Sequence, residues 1–373
     1  MRFCPCSRAF GSGECERARG SSIRAGADAQ YGDQLLGNAD ESHAEHGDKL
    51  LGNSDEPYAE HGDQLLEQRE RPLSIPAMLS LAALRYRNVL AEFGGPIAGI
   101  EMGDFPVRGQ KLVLANASLR PGLANRPMNQ IYSNTADGTG LHINGSIARH
   151  MAISEAMERW AFSALVTSDR AGDYGFDIDP SSCGMSAYPG LVARQARRRS
   201  VLEAIERFSL ISWWDGRVAG RVFDTDWPGI SAVAIDGPFG GVTVVVHGRT
   251  QWGGYVYGHA ADESFSGACE RAVMELARHE WVMRAWWLSR VAGERKSPTN
   301  IFERRCIYFA TEDGHREFLA HVGRAPSGAA PKAEVICDTD IPGPWSDYAT
   351  VWRFALRPPS DGYLRGGDSY FFL

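Results

Sequence analysis

One six-residue word occurs twice in this sequence, as EAMERW from Glu155 and as EAIERF from Glu203. Each copy follows a stretch rich in Gly and Ser and stands within apolar residues at helical spacing. The pattern predicts one helix over roughly Ser146–Ala164 and a second over roughly Leu191–Trp214. In each helix the two Glu residues share a face, and the Arg that follows can reach back to the first Glu. The fold must therefore accommodate two helices that carry similar charged faces.

A third stretch has a related layout. The segment ACERAVMELARHEW predicts a helix that follows a strand ending near Tyr257 and Gly258. This helix carries Glu270, Arg271 and Glu275. Three units with Glu and Arg on the helix are thus expected, rather than two: the first two helices follow a loop, and the third follows a strand and a loop.

The charged helix faces have two interpretations. Exposed Glu–Arg pairs on a helix are common and contribute only about 0.3–0.5 kcal/mol each. Here, however, the motif is duplicated with its flanks, and large apolar residues such as Trp160 and Phe208 stand beside it. Carboxylates that converge in a partly buried site repel one another unless a cation compensates them, and carboxylate oxygens suit Mg²⁺. The second interpretation is therefore a Mg²⁺–nucleotide site with Arg for the phosphates.

Composition narrows the class of protein. The formal net charge of -7 over 373 residues argues against nucleic acid as the main partner, because phosphate binding needs a basic surface. The seven Cys are scattered without a C-x-x-C pair, which favours reduced thiols in a cytoplasmic protein. The start has no apolar signal segment, and no stretch approaches about 18 consecutive apolar residues, so neither secretion nor a membrane span is expected.

Residues 1–77 differ from the rest. A repeat with a 15-residue period begins at Gly32, Gly47 and Gly62, and each unit offers two adjacent Leu among polar and acidic residues. Such units bury too little apolar surface to offset the entropy of ordering, so we expect a disordered tail, or sequence upstream of a true start near Met78. A partner-binding array and a substrate-like peptide carried in cis are the other interpretations.

From about residue 78 to 373 the chain mixes short β-rich runs with long helical patterns. The runs include QKLVLANASL, VAGRVFD, GVTVVVHG, AEVICD and ATVWRFAL, and LSLAALRYRNVL predicts a helix at the start. No Walker A motif and no dinucleotide fingerprint in the right context is present. The expected architecture is α+β, with helices packed on mostly antiparallel sheets.

Three blocks in order carry a family resemblance over roughly Gln130–Trp287. They are SNTADGTGLHINGSIARHMAISEAMERWAF, CGMSAYPGLVARQARRRSVLEAIERFSLISWWDG and GYVYGHAADESFSGACERAVMELARHEW. A Gly-containing loop before an E-x-x-E-R helix, a second such unit, and then an R-A-x-x-E helix resemble the YcaO family. The resemblance implies a YcaO-like domain that uses ATP to activate a backbone amide in a ribosomal peptide, giving a thioamide, an azoline or an amidine.

The resemblance also implies roles by position, with ATP and Mg²⁺ as cofactors. The implied Mg²⁺ ligands are Glu155, Glu158, Glu203, Glu206 and Glu275. The implied nucleotide-binding residues are Ser133, Gly138 and Gly140 in the first loop and Arg159, Arg207 and Arg271 on the helices. The implied partners are a peptide substrate and a leader-recognition or sulfur-transfer protein, and a homodimer is allowed.

The sequence departs from the family pattern at several positions. Thr139 stands where many members have Lys, Cys183 where many have Asn, and Arg278 where Gln is common. The chain ends RGGDSYFFL instead of the Pro-rich tail of many azoline-forming members, which keeps thioamide and amidine formation open.

Other interpretations follow from these departures. A non-catalytic relative that binds a peptide or a partner protein is the main alternative, and an unrelated ATP-dependent ligase or kinase is a second. For Cys183 we favour a structural thiol over a catalytic thiol. A cluster of arginines consists of Arg194, Arg197, Arg198 and Arg199. We favour a solvated helix face over a phosphate or leader-peptide site for this cluster.

Overall fold

The computed structural model of the chain describes residues 82–124, 136–190, 193–293, 297–298 and 300–371, which all belong to one compact unit. The predicted tail of residues 1–77, its repeats, the boundary near Met78 and Ser133 lie outside the described residues. What we expect of them stays a prediction.

The described elements are a mixture of strands and helices. In chain order they are α1 (Ala82–Arg85), β1 (Ile97–Val107), β2 (Gln110–Leu119), β3 (Gly138–His142), α2 (Gly145–Leu165), β4 (Met185–Tyr188), α3 (Arg194–Trp214), β5 (Gly220–Asp224), β6 (Ile230–Asp236), β7 (Val242–Arg249), β8 (Tyr255–Asp262), α4 (Phe265–Val291), α5 (Ile301–Phe309), α6 (Glu312–Val322), β9 (Val335–Asp340), β10 (Thr350–Leu356) and α7 (Gly362–Arg365).

Three sheets organise these strands, in the orders β1-β2-β3, β4-β10-β9 and β5-β6-β7-β8. Every strand pair is antiparallel. The β1–β2 hairpin turns through Arg108 and Gly109, both with positive φ, as a two-residue type I′ turn requires. The predicted α+β class with mostly antiparallel sheets is confirmed.

Two of the sheets end in an edge strand that runs directly into a long helix. β3 leads into α2, whose first N–H groups are capped by Asn144, and β8 leads into α4, capped by Ser264. Ala152, Ala156 and Ala272 are fully buried where these helices meet their sheets. Small residues at the interface allow each helix backbone to approach its strand closely.

A separate hydrophobic core forms around aromatic side chains near the C-terminus. Trp213 and Trp214 end α3, and Tyr370 and Phe371 pack against them. The Trp214 and Phe371 rings are stacked with centroids 5.4 Å apart. Tyr370 and Phe371, in the segment that departs from a Pro-rich tail, are therefore buried.

The predicted elements differ from this description at several places. The strand expected to end near Tyr257 and Gly258 continues as β8 to Asp262, and the Gly- and Ser-rich stretch before α3 contains β4. The helix expected from LSLAALRYRNVL is helical within the described part only over Ala82–Arg85, because Val89 and Leu90 bond to Ile97 and Gly95 instead. The Gly-rich stretch expected as a loop before α2 is strand β3 over Gly138–His142. None of the helices in the described part combines the length and apolarity that crossing a bilayer requires.

Candidate functional site

The first and third predicted units share one backbone geometry. A Cβ on Gly138 of β3 would lie 2.1 Å from the Ala152 carbonyl oxygen of α2. A Cβ on Gly258 of β8 would lie 2.1 Å from the Ala272 carbonyl oxygen of α4. Both pairs are 14 residues apart, so a shift of 120 residues superposes one unit on the other in sequence. We call residues related by this shift equivalent.

This geometry gives the glycines of the first block a packing role that was not expected from the sequence. Gly138 and Gly140 lie in a strand, and a Cβ on Gly140 would lie 2.0 Å from the Ala148 carbonyl oxygen. The expectation of a permissive loop is wrong, because close packing of helix on strand already requires glycine there. Contact of these glycines with a nucleotide stays a prediction.

The β3 network gathers charged residues at the outer edge of β3. Glu155 of α2 accepts hydrogen bonds at Oε2 from the N–H and the hydroxyl of Thr139, both at 3.2 Å. Arg159 lies 3.8 Å from Glu155 Oε1, and its Nε donates to the Asp137 carbonyl oxygen at 2.8 Å. The Glu155 and Arg159 side chains are each only 14% exposed, so this is not a solvated helix face.

Helix α4 completes the β3 network from the other side. Arg278 donates from Nη1 to Glu275 Oε1 at 2.9 Å and from Nη2 to the Thr139 hydroxyl. The β3 network therefore consists of Thr139, Glu155, Arg159, Glu275 and Arg278. It joins carboxylates of two helices through one guanidinium and one hydroxyl.

The β8 network gathers a second set at the outer edge of β8. Glu206 of α3 accepts from the Ala261 N–H at 3.0 Å and lies 2.7 Å from His259 Nδ1. Arg271 donates to the Ala261 carbonyl oxygen at 2.5 Å and to Asp262. The N–H and C=O of Ala261 are thus capped by a carboxylate and a guanidinium. The β8 network consists of Glu206, His259, Ala261, Asp262 and Arg271.

One face of α4 links the two networks. Arg271, Glu275 and Arg278 follow one another at intervals of four and three residues, so their side chains lie along the same side of the helix. Arg271 reaches β8, and Arg278 reaches β3. The residue after Arg278, His279, is buried, and desolvation lowers its pKa to about 4. Because His279 is neutral near pH 7, the positive charges on this side of α4 are the guanidiniums of Arg271 and Arg278.

The predicted phosphate ligand Arg207 belongs to neither network. Its guanidinium lies over the Tyr363 ring, with Cζ 4.0 Å from the centroid, and 3.9 Å from Asp179 Oδ1. Tyr363 donates to the same Asp179 oxygen at 3.0 Å. Arg207, Asp179 and Cys183 line a small pocket beside α3. No sequence pattern indicates Asp179 or Tyr363, because their contacts join distant parts of the chain.

The remaining predicted residues have varied surroundings. Glu158 is buried and Glu203 is half-buried. The Cys183 thiol donates to the Glu203 carbonyl oxygen at 3.4 Å, as a structural thiol does. In the arginine cluster, Arg197 pairs with Asp338 and Arg198 with Glu263, so at least half of it is engaged in surface ion pairs.

The donor set can be compared with what each cofactor needs. Within residues 82–371 as described, no group of three or more His, Cys, Asp or Glu side chains is placed to hold a metal ion. Glu155, Glu206 and Glu275 are each engaged by Arg or His. The five glutamates as Mg²⁺ ligands thus stay a prediction, and the networks in this arrangement present guanidiniums, which suit phosphate oxygens.

No protein-family model and no curated protein matches the sequence. Among solved structures, the chain is similar to YcaO from Methanopyrus kandleri bound with AMPPCP and Mg²⁺, with 14% identity, a TM-score of 0.46 and coverage of 76% of this chain and 91% of that one. It is also similar to the E. coli microcin synthetase McbBCD complex, with 12% identity, a TM-score of 0.44 and coverage of 70% and 87%. The chain is thus similar in structure, over most of its length, to these two proteins.

Proposed function

We propose that this protein binds ATP and uses it to activate a backbone amide of a peptide. The observation that carries the proposal is the pair of linked networks. Arg159, Arg271 and Arg278 stand at the outer edges of two strands, each held by a carboxylate: Glu155 of α2, Asp262 of β8 and Glu275 of α4. Partly buried guanidiniums with fixed orientation bind phosphate oxygens strongly, and phosphoryl transfer depends mainly on such positioning and charge neutralisation.

The proposed reaction balances without a redox partner. The amide oxygen of the peptide attacks the γ-phosphorus, the bond to the bridging oxygen breaks, and ADP leaves. A nucleophile then adds at the activated carbon and loses its proton, and inorganic phosphate departs with the former amide oxygen. A sulfur nucleophile supplied from outside gives a thioamide, a side-chain nucleophile gives an azoline, and an amine gives an amidine.

The chain's own groups have defined tasks in this scheme. The guanidiniums of α2 and α4 hold the phosphates, and the carboxylates of Glu155, Glu206 and Glu275 fix those guanidiniums and His259 in place. Mg²⁺, brought with the nucleotide, would supply further neutralisation of the phosphate charge. The peptide substrate and a leader-recognition or sulfur-transfer protein remain the proposed partners.

Calorimetric titration of ATP into the full chain, with and without Mg²⁺, tests this function. We expect micromolar binding that requires Mg²⁺ and weakens at least tenfold in a Glu155→Gln, Glu206→Gln double variant. Glu270→Gln is the matched control, because Glu270 lies on α4 and is exposed. Absence of ATP binding by the folded wild-type chain would contradict the proposal.

A second candidate function is a non-catalytic scaffold that binds a peptide or a partner protein. The observation that favours it is the engagement of Glu155, Glu206 and Glu275 by protein cations, with no metal-binding group among the described residues. A scaffold should bind its peptide equally well with and without ATP. An enzyme should release phosphate in proportion to the peptide modified, which mass spectrometry and a phosphate assay measure together.

A further inference from the structure

An exposed apolar patch lies at the start of helix α2. It consists of Met102 of β1, Ile143 after β3 and Ile147 in the first turn of α2, which are 47%, 72% and 43% exposed. Met102 reaches the start of α2, since a Cβ on Gly145 would lie 3.2 Å from the Met102 methyl carbon. Scattered exposed apolar residues are normal, whereas a group of them beside a packed core indicates a surface that another segment or molecule covers. We call these three residues the α2 entry patch.

The next turns of the same side of α2 are covered by the first described residues. Ile147, His150 and Ser154 are three and four residues apart, so they lie along one side of the helix. The Tyr86 and His150 ring centroids are 5.8 Å apart, and the Tyr86 hydroxyl lies 2.7 Å from that of Ser154. Tyr86 and Ala82 are only 2% and 1% exposed. The chain from Ala82 to Tyr86 therefore packs against a stripe whose first residue, Ile147, remains open.

The described chain approaches this patch when it is followed backwards. The Val89 carbonyl accepts from the N–H of Ile97, the first residue of β1, at 2.9 Å. Met102, beside the first residue of α2, is five residues or about 16 Å further along β1. The contacts of Tyr86 on α2 lie only about 10 Å from that first residue. Since the Ala82 carbonyl accepts from the Tyr86 N–H at 2.8 Å, the residues before Ala82 begin on the side where the patch is open.

The segment before Ala82 has a composition that suits the patch. From Pro72 to Leu84 no charged residue occurs, whereas the two complete repeat units of residues 32–61 contain eight acidic residues and one lysine. The apolar side chains of the segment are Leu73, Ile75, Ala77, Met78, Leu79 and Leu81. Residues 73–81 extend over at most about 30 Å, whereas Ile147 is only one helical turn, about 5 Å, from His150. The segment is therefore long enough to reach the whole patch.

We propose that residues 73–81 pack on the α2 entry patch, so that the folded domain begins near Leu73 instead of near Met78. A tethered segment is present at an effective concentration of about 1 mM, and a second copy of the chain or a separate partner has to compete with it. The acidic repeats stay outside this contact, because charged side chains lose their hydration at an apolar surface. The inference goes beyond the proposed function and does not depend on it.

Photocrosslinking in the full chain tests the contact directly. A p-benzoylphenylalanine in place of Ile147, on the surface of α2, reacts with C–H bonds that it touches. We expect a crosslink within one chain to a tryptic peptide that contains residues 73–81, identified by mass spectrometry. The same amino acid in place of Leu319, which is 45% exposed on α6, is the control and should give no crosslink to that peptide.

A double-mutant cycle measures the same contact without a probe. Ile147→Ser and Ile75→Ser should each lower the thermal midpoint by about 3 °C, because each removes apolar surface from the contact. The two changes together should lower it by only about 4 °C, since the second change finds the contact already weakened. Leu65→Ser, in the third repeat, is the matched control, and it should shift the midpoint by less than about 1 °C and add nothing to Ile147→Ser.

The other outcomes overturn the proposal. Crosslinks between two chains, with a dimer in light scattering that Ile147→Ser dissociates, would assign the patch to a second copy. If the probe at position 147 reaches no peptide of residues 73–81, or if the midpoint losses in the cycle simply add, the segment does not cover the patch. ATP binding enters neither readout, so failure of the proposed function leaves this proposal standing, and the reverse also holds.

Discussion

The β3–α2 and β8–α4 units have the same backbone spacing and different charges. In each unit a glycine of the strand is pressed against a buried alanine of the helix: Gly138 against Ala152 in one unit and Gly258 against Ala272 in the other. Glu158 in the first unit is equivalent to Arg278 in the second, so the charge at this position is reversed. Steric contact with backbone atoms tolerates no side chain at the glycines, whereas a charge on the helix face can change if a neighbour compensates it. The scaffold is therefore duplicated, and the site built on it is asymmetric.

A glutamate caps the edge strand of each unit, but it comes from the unit's own helix α2 at β3 and from the neighbouring helix α3 at β8. Glu155 accepts the outward N–H of Thr139 on β3, and Glu206 accepts that of Ala261 on β8. An unpaired strand edge invites pairing with another chain, and a carboxylate that caps it prevents this. The glutamates thus have a structural task whether or not they also meet a nucleotide.

The largest expected effect comes from breaking the shared packing. Gly138→Ala and Gly258→Ala should each destabilise the fold by about 3 kcal/mol, because the new methyl group meets backbone atoms that cannot move aside. Urea denaturation measures the loss. Gly103→Ala on β1 is the control, since a Cβ there meets nothing within 4 Å, and it should stay within about 1 kcal/mol of wild type. A large loss at Gly138 with none at Gly258 would show that the units are not equivalent.

The next largest effect is the pH dependence of stability expected from His279, the residue after Arg278. Arg159 in the first unit is equivalent to His279 in the second, whose pKa desolvation lowers to about 4. Because the unfolded histidine titrates near pH 6.5, the unfolded state binds more protons between these values. Stability is therefore full above about pH 6.5 and falls as the pH drops towards 4, by about 2–3 kcal/mol from this group.

Urea denaturation at pH 7.5, 6 and 5 measures this dependence in wild type and in His279→Gln. The variant should show a shallower loss of stability with acidification. Part of the loss should remain, because burial also lowers the pKa of His247 to about 4. Parallel pH profiles for the two proteins would contradict the assignment to His279.

A smaller effect is expected from removing the carboxylates that cap the strand edges. Glu155→Ala and Glu206→Ala should each cost about 1–2 kcal/mol, since each removes an ionised acceptor from a partly buried N–H. Amide hydrogen exchange should quicken at Thr139 in the first variant and at Ala261 in the second. Glu270→Ala should leave both amides unchanged, and faster exchange in that control would mean that the effect is not local.

The smallest effect sharpens the comparison at the helix starts. Asn144 accepts from the N–H groups of Ser146 and Ile147, whereas Ser264 accepts only from that of Gly267. Asn144→Ala should cost about 1 kcal/mol and Ser264→Ala somewhat less, as expected for N-cap losses. Thermal denaturation compares the two, and a larger loss at Ser264 would reverse the order.

Much of the fold follows from local pattern. Apolar spacing located α2, α3 and most of α4, and the β-rich runs located β2, β7 and β10, because helix and strand periodicities are set by neighbours in sequence. The same spacing put Glu155 beside Arg159, which the structure confirms at 3.8 Å. The glycine stretch was misassigned as a loop, since a sequence does not show that a helix lies against a strand.

The sequence by itself determined the three long helices α2, α3 and α4 with their Glu and Arg residues, and the mostly antiparallel α+β class. Only the tertiary structure decided which charges meet. The contact of Arg278 with Thr139, the pairing of Glu206 with His259 and the stacking of Arg207 on Tyr363 all join residues far apart in the chain. Local periodicity fixes the face of a helix on which a charge lies, but the partner opposite that face depends on how distant elements pack.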